Sequence, residues 1–450
     1  NRSDFYEKEL TFQVSCSYGP GRYDPNYETR GLDYPIGFVR WTEQRNFEAV
    51  LELLASGSLA IDRIISERVN FSALAESYDQ LLNNSSSLGI VIEYDHALQP
   101  PRSEAALASV AVPGQASLGF IGAGAFAKAV LIPAFLEAGA SIKSAATRGG
   151  KSLAAIKSRY PKIYTTSNYN ELLSDPEIAG VVIATRHDTH SLLAAKALAA
   201  GKHVFVEKPL ALNLQELLEL REVRIRNPQK LLMVGFNRRF APLVLELKRS
   251  LSDRIKPLTI VATINAGSLP KESWISDPSE GGGRVLGEVC HFVDLVCFLC
   301  GAPIASVFAA HLGDTDATAR DSVTAMIKFQ DGSMAAINYV TSGHRSYPKE
   351  RFDLFWDGKA ATLDNFRRLK GFGFSTTKFR GLLGQDKGHK AESRAFVAAL
   401  KQGGATPISW EDIFQSTLGT LAIVSSLESG REIELSAMLG AGNTPSEIAV

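Results

Sequence analysis

Cysteine is scarce in this sequence, with four residues in 450, so a disulfide framework is excluded and a reducing compartment fits. A charge excess is missing as well. The 48 Lys and Arg balance the 48 Asp and Glu, and nothing in that balance points to nucleic acid or an acidic membrane surface. No uninterrupted apolar run approaches the ~20 residues that a helical membrane span needs. The opening residues, "NRSDFYEKEL", lack the charged-then-apolar pattern of a secretory signal, and a cytoplasmic location is expected. The chain begins with Asn1 rather than Met, as a processed or truncated piece would. The remaining composition, 45% hydrophobic and 21% charged, is that of a globular protein long enough for two or three domains.

Residues 1–97 read as a partial α/β segment. "ELTFQVSCSY" alternates like a strand, and "NFEAVLELLASG" places Phe47, Val50, Leu51 and Leu54 on one helical face that Gly57 ends. "FSALAESYDQLLNN" reads as a second helix and "LGIVIEYD" as a strand. Residues 98–116, rich in Pro, Ala and Ser without periodicity, form a linker. From 117 to 240, short apolar strands alternate with amphipathic helices, one of them kinked at Pro133, which predicts a parallel, doubly wound sheet. From 241 to 437 the pattern changes to alternating strands. Turns at Asp331-Gly332 and Asp357-Gly358 predict an α+β domain with a largely antiparallel open sheet, followed by a tail at 438–450.

"GFIGAGAFA" follows a strand and opens a helix, the context that a dinucleotide-binding turn requires. Gly122 makes the tight turn in this reading. Gly124 lets the backbone approach a pyrophosphate at the helix N-terminus, Ala125 and Phe126 continue the turn, and Ala127 allows close helix–strand packing. The next strand runs into "SAATRGGK". Where an NAD enzyme usually places a carboxylate for the ribose hydroxyls, this chain has Thr147 and Arg148, with Lys151 behind. A guanidinium pairs with a 2′-phosphate, so NADP is the preferred cofactor and NAD the other choice. Thr185 and His190 follow the "VVIAT" strand, where backbone and ribose contacts are expected.

Two further stretches, "VVIATRHDTHSLLAAKALAAGKHVFVEKPLAL" and "GGGRVLGEVCHFVDLVCFLCG", with "VGFNRRFAP" between them, resemble the glucose–fructose oxidoreductase/inositol dehydrogenase (Gfo/Idh/MocA) family. The likeness runs from about 117 to 437. It implies a Rossmann domain followed by a substrate domain. Lys208, flanked by Glu207 and Pro209, would then sit by the nicotinamide and substrate, and His291 would be the proton acceptor. Where the family commonly carries Asp, four residues before that His, this chain has Gly287, and a carboxylate comes one place later as Glu288. Residues 1–97 resemble instead the C-terminal portion of a medium-chain zinc alcohol dehydrogenase. That enzyme's zinc ligands and glycine loop are absent, so the segment is expected to be structural and to hold no second active site.

The helix carrying His291 also carries three cysteines and Asp294, which raises the question of a metal. At ~100° per residue from His291, Glu288 falls near +60°, Asp294 near −60°, Cys297 near −120° and Cys300 near 180°. No face collects a tetrahedral set, so no metal is expected and the cysteines read as small buried hydrophobes. Glu288 and His291 share a face, where Glu288 could orient His291 or contact a sugar hydroxyl. Oxidation of a secondary alcohol needs a base beside the hydroxyl, which suits His291, and Lys208 can hold the developing oxyanion. His187 is either a substrate-specific feature or a plain loop residue. Trp274 and Arg284 either line a pocket or lie on the surface, while Asn237 and Arg238 belong in the cleft wall.

The sequence therefore points to a nicotinamide-dependent oxidoreductase acting on a secondary alcohol or ketone of a sugar, nucleotide sugar or cyclitol, and to a homo-oligomer formed through the open sheet. Two other readings stay open: a redox-assisted glycosidase with tightly held NAD, and a non-catalytic NADP-binding sensor.

Overall fold

The computed structural model of the chain describes residues 2–10, 19–28, 33–74, 88–94, 115–269, 273–277, 279–313, 321–344, 346–374, 379–381, 384–403 and 405–439. They group into two units, Asn1–Ala106 and Leu107–Val450. Most of the strand expected at 9–18, most of the helix expected at 71–84, and the linker and tail except for residues 115–116 and 438–439 lie outside the described residues. In the smaller unit, strands β1 (Glu67–Asn70) and β2 (Ile90–Glu93) pair in parallel. Its longest described helix, Glu43–Ala55, has no buried residue.

The larger unit holds two sheets. In the first, β3 (Ser117–Ile121), β4 (Ser141–Ala146), β5 (Tyr164–Thr166), β6 (Gly180–Ile183), β7 (His203–Val206) and β8 (Leu232–Val234) lie in the order β5-β4-β3-β6-β7-β8, all parallel. Every residue of β3, β6 and β8 is buried. That explains why their sequences are apolar throughout: crossover helices cover both faces of a parallel sheet. The chain turns to opposite sides of β3 to reach β4 and β6, so the crevice at the C-terminal end of β3 is where such a sheet takes a ligand. The segment after β3 begins as a π-helical turn, Ala127–Leu131, and continues as the α-helix Ile132–Glu137. Pro133 thus stands in the first turn of the α-helical part, where its missing N–H costs little.

The second sheet has nine strands in the order β16-β15-β14-β13-β9-β12-β11-β10-β17. These are β9 (Thr259–Asn265), β10 (Ile304–His311), β11 (Val323–Phe329), β12 (Met334–Val340), β13 (Glu350–Trp356), β14 (Lys359–Asp364), β15 (Arg368–Phe372), β16 (Phe379–Gly381) and β17 (Ile433–Glu434). β12 and β9 pair in parallel and the other neighbours antiparallel. Asp357 and Gly358, both at positive φ, turn the β13–β14 hairpin. Ala335, Ile337 and Tyr339 of β12 point to the core, and helices Cys290–Cys300 and Trp410–Ser429 contribute to the same core. The opposite face leaves Phe308, Met326, Met334 and Phe355 exposed.

The segment after β8 fastens the two sheets together. Arg239 is buried and donates to both oxygens of Asp294, at 3.0 and 2.5 Å, and to Asp412 at 2.9 Å. Arg238 donates to Glu350 of β13 at 2.8 and 3.0 Å. Among the described residues no helix is long and apolar enough to cross a membrane.

Candidate active site

A cleft of about 1410 Å³ opens at the C-terminal end of β3. Its floor is the glycine turn. Gly122 has φ +94°, and a Cβ there would lie 2.4 Å from the Ala184 carbonyl oxygen, so only glycine fits. At Gly124 an added Cβ would meet nothing within 4 Å. One glycine is demanded by the protein and the other leaves backbone open to the cleft, which suits close approach of a pyrophosphate to the helix start. Ala125 and Phe126 line the same space, and the exposed Phe126 ring meets His389 edge-on at 5.9 Å.

Thr147 and Arg148 line the cleft at the end of β4. Arg148 is exposed, with no ion-pair partner among the described residues. Thr185 lines the cleft at the end of β6, where its hydroxyl accepts from Thr189 at 2.8 Å. His190 is buried, with Nδ1 2.8 Å from the Pro209 carbonyl and Nε2 3.2 Å from that of Thr185. Burial pushes its pKa down to about 4, so the ring is neutral and donates through one nitrogen only, the shorter contact being that to Pro209 in the loop after β7. Pro209 lies outside the cleft lining and acts through that carbonyl.

The far end of the cleft is rich in positive charge. Lys208, two residues after β7, donates to the Gly287 carbonyl at 2.6 Å. His291 lines the cleft, and its Nδ1 is buried without a partner among the described residues. Burial first, and then Arg238, Lys208, His389 and Lys387, hold its pKa well below the usual histidine value. Glu350, fully buried, accepts from both Arg238 and Lys387, the latter at 2.5 Å, so one carboxylate serves two cations. Asn237 donates to the Lys387 carbonyl at 2.8 Å.

Lys387 and His389 line this end, although sequence reasoning did not select them. The available signal was a Lys-Gly-His run just ahead of the helix His389–Gln402. Gly388, at φ +90°, brings that run so close that a Cβ would lie 2.3 Å from the Asn237 carbonyl oxygen. Glu207 also lines the cleft. Burial pushes its pKa up to about 7. Behind it is Glu392, fully buried, with both carboxyl oxygens unpaired among the described residues.

One expected site residue is placed elsewhere. Glu288 makes no hydrogen bond to His291 Nδ1 and does not line the cleft. It accepts from the Tyr339 hydroxyl at 2.5 Å and faces Arg284 at 3.4 Å. The angular reckoning assumed an α-helix, whereas Val285–Val289 forms a π-helical turn with a different angular step, and Tyr339 of β12 supplies a strong partner. Arg284 is buried rather than on the surface and donates to the Gly267 carbonyl at 2.7 Å. Asp294 is tied to Arg239, and Cys290, Cys297 and Cys300 are buried. Trp274 lines the cleft with its ring 4.6 Å from His187, while Arg186 pairs with Glu280 at the rim.

A parallel dinucleotide-type sheet, a glycine turn open to the crevice, and a lysine and a neutral histidine in the same cleft define the class: a nicotinamide-dependent oxidoreductase. Residues 116–236 match the family described as "Oxidoreductase family, NAD-binding Rossmann fold", and residues 256–360 match the GFO/IDH/MocA C-terminal domain. The chain belongs to the Gfo/Idh/MocA oxidoreductase family. It is 27% identical over 285 residues to a myo-inositol 2-dehydrogenase of Thermotoga maritima, covering 60% of this chain and 84% of that protein. It is 28% identical over 273 residues to an inositol 2-dehydrogenase of Rhizobium meliloti, covering 58% and 81%. A solved levoglucosan dehydrogenase in complex with NADH shares the fold, with a TM-score of 0.64 at 23% identity over 71% of this chain and 99% of that one. The likeness of residues 1–97 to a zinc alcohol dehydrogenase finds no support in these comparisons, whose family matches begin at residue 116.

Proposed function

We propose that this chain transfers hydride between a nicotinamide cofactor and a secondary alcohol or ketone of a polyol of the sugar or cyclitol class. The observation that carries the reading is that Lys208 and His291, distant in sequence, line one cleft with the glycine turn. Relatives named as inositol dehydrogenases support the substrate class. The cofactor, when bound, supplies a hydride acceptor or donor. The chain's own residues handle the oxygen. His291, neutral because of burial and its cationic neighbours, can take the hydroxyl proton. The Lys208 ammonium, held by Gly287, can donate to the oxygen as negative charge develops there.

NADP is the preferred cofactor in this reading. Arg148 stands exposed at the end of β4, next to Thr147, where an NAD enzyme usually has a carboxylate. Fluorescence titration should find NADPH bound tighter than NADH. Arg148→Ala should remove about 1–3 kcal/mol of that preference. Tighter binding of NADH by the native chain would overturn the cofactor assignment. Hydrolysis of a glycoside without net change in the nicotinamide would replace the dehydrogenase reading by the glycosidase one.

A further inference from the structure

The His187 ring packs tightly against Gly287. A Cβ at Gly287 would lie 3.0 Å from Cε1 and 3.5 Å from Nδ1 of His187, so a side chain at 287 would press on the imidazole. The ring is buried, in edge contact with Trp274 at 4.6 Å, and it lines the cleft. Its Nδ1 lies 2.8 Å from the Gly281 carbonyl, which can only accept, so Nδ1 carries the proton. Burial pushes the pKa of His187 down to about 3, and the Lys208 charge pushes in the same direction, so the ring is neutral. Nε2 is then left with a lone pair. No described residue pairs with it, and it is not among the walled-in atoms that lack a partner.

We propose, resting on the polyol reading above, that His187 is a specificity-determining residue whose Nε2 accepts a hydrogen bond from a second hydroxyl of the substrate. Gly287 is side-chain-free so that this ring can stand beside Lys208. The placement selects the partner. Lys208 is bonded to the carbonyl of the same Gly287 against which the His187 ring packs, so a fixed donor and a fixed acceptor stand side by side. A vicinal diol matches that pair: the reacting oxygen accepts a hydrogen bond from the Lys208 ammonium while its own proton goes to His291, and the neighbouring hydroxyl donates to Nε2. A substrate with no hydroxyl there leaves the acceptor unpaired in a buried wall, which is costly.

The test uses the full chain, a panel of cyclitols and anhydro sugars, and nicotinamide absorbance as the readout. For the best polyol and its analogue lacking the hydroxyl beside the reacting carbon, kcat/KM is compared in the native chain, His187→Leu and His187→Gln. The native chain should lose about 10- to 100-fold on the deoxy analogue. His187→Leu should lose the same factor on the polyol, mainly in KM, and nothing further on the analogue. His187→Gln, which keeps an acceptor near the Nε2 position, should recover most of the loss. Gly287→Ala, which presses on the ring, should cause a smaller loss in the same direction as His187→Leu, and thermal melting shows which variants fold. Equal losses on polyol and analogue, or no loss in His187→Leu, would overturn the assignment while leaving the dehydrogenase reading intact. No turnover of any polyol by the native chain would overturn that reading and this assignment with it.

Discussion

The imidazole of His291 meets burial first and then the cations Arg238, Lys208 and Lys387, and both drive its proton off. Its folded-state pKa lies below the ordinary 6.5, so the stability linked to the neutral ring is full above 6.5 and is lost as pH falls from there through the folded-state pKa. The acid limb of kcat/KM should therefore lie below pH 6.5. His291→Ala and Lys208→Ala should each lower turnover by about two to four orders of magnitude while cofactor titrations stay near native. Unchanged turnover in His291→Ala would remove it from the chemistry. Residues such as Gly122, Arg148 and Lys208 were legible because the motifs that select them are local in sequence. Lys387 and His389 were not, because their segment meets the cleft only through tertiary packing against Asn237. Glu288 was misplaced by the assumption of an unbroken α-helix.

Among elements, two helices bordering the cleft begin with π-helical turns, Ala127–Leu131 and Val285–Val289. Apolar periodicity marked the presence of both helices but carries no sign of a five-residue widening within them. The strands after 117 were readable because a parallel core demands continuous apolar runs, and the hairpins because Asp-Gly turns demand positive φ. Helix His389–Gln402 carries Glu392, which burial, then Glu207 and Asp294, hold well above the ordinary carboxylate range. Glu207 itself is raised from 4.5 to about 7. The folded state thus keeps protons that the unfolded chain releases. The linked stability is full below pH 4.5 and shrinks as pH rises towards 7, by up to about 3 kcal/mol for Glu207 alone. Glu392→Gln removes one of these protonations and keeps the shape. Its thermal midpoint should exceed the native one by a margin that grows as pH rises. A gap that narrows with rising pH would contradict the buried pair.

At the scale of the larger unit, strand alternation in 259–372 announced a sheet with one buried and one exposed face, and that face carries an apolar row. Phe308 pairs with Met326, Met326 with Ala336, and Ala336 with Val261 across β10, β11, β12 and β9. A second copy of the chain is the proposed cover for this row, because contiguous exposed apolar surface of this kind marks an interface. Light scattering should find the native chain oligomeric, and Phe308→Glu with Met326→Glu should reduce it to monomers. A monomeric native chain would end that proposal. The fastening of the two sheets was not legible, since Arg239, Asp294 and Asp412 lie far apart in sequence and nothing in their spacing links them.

That fastening has a consequence in salt. Dissolved ions screen charges at the surface far more than charges sealed inside. The Arg239–Asp294 pair is 4% and 0% exposed, so rising ionic strength leaves the two sheets locked together. Arg186 and Glu280, at the mouth of the cleft, are 55% and 37% exposed and lose their attraction under the same conditions. Brine therefore loosens the entrance of this enzyme and spares its frame.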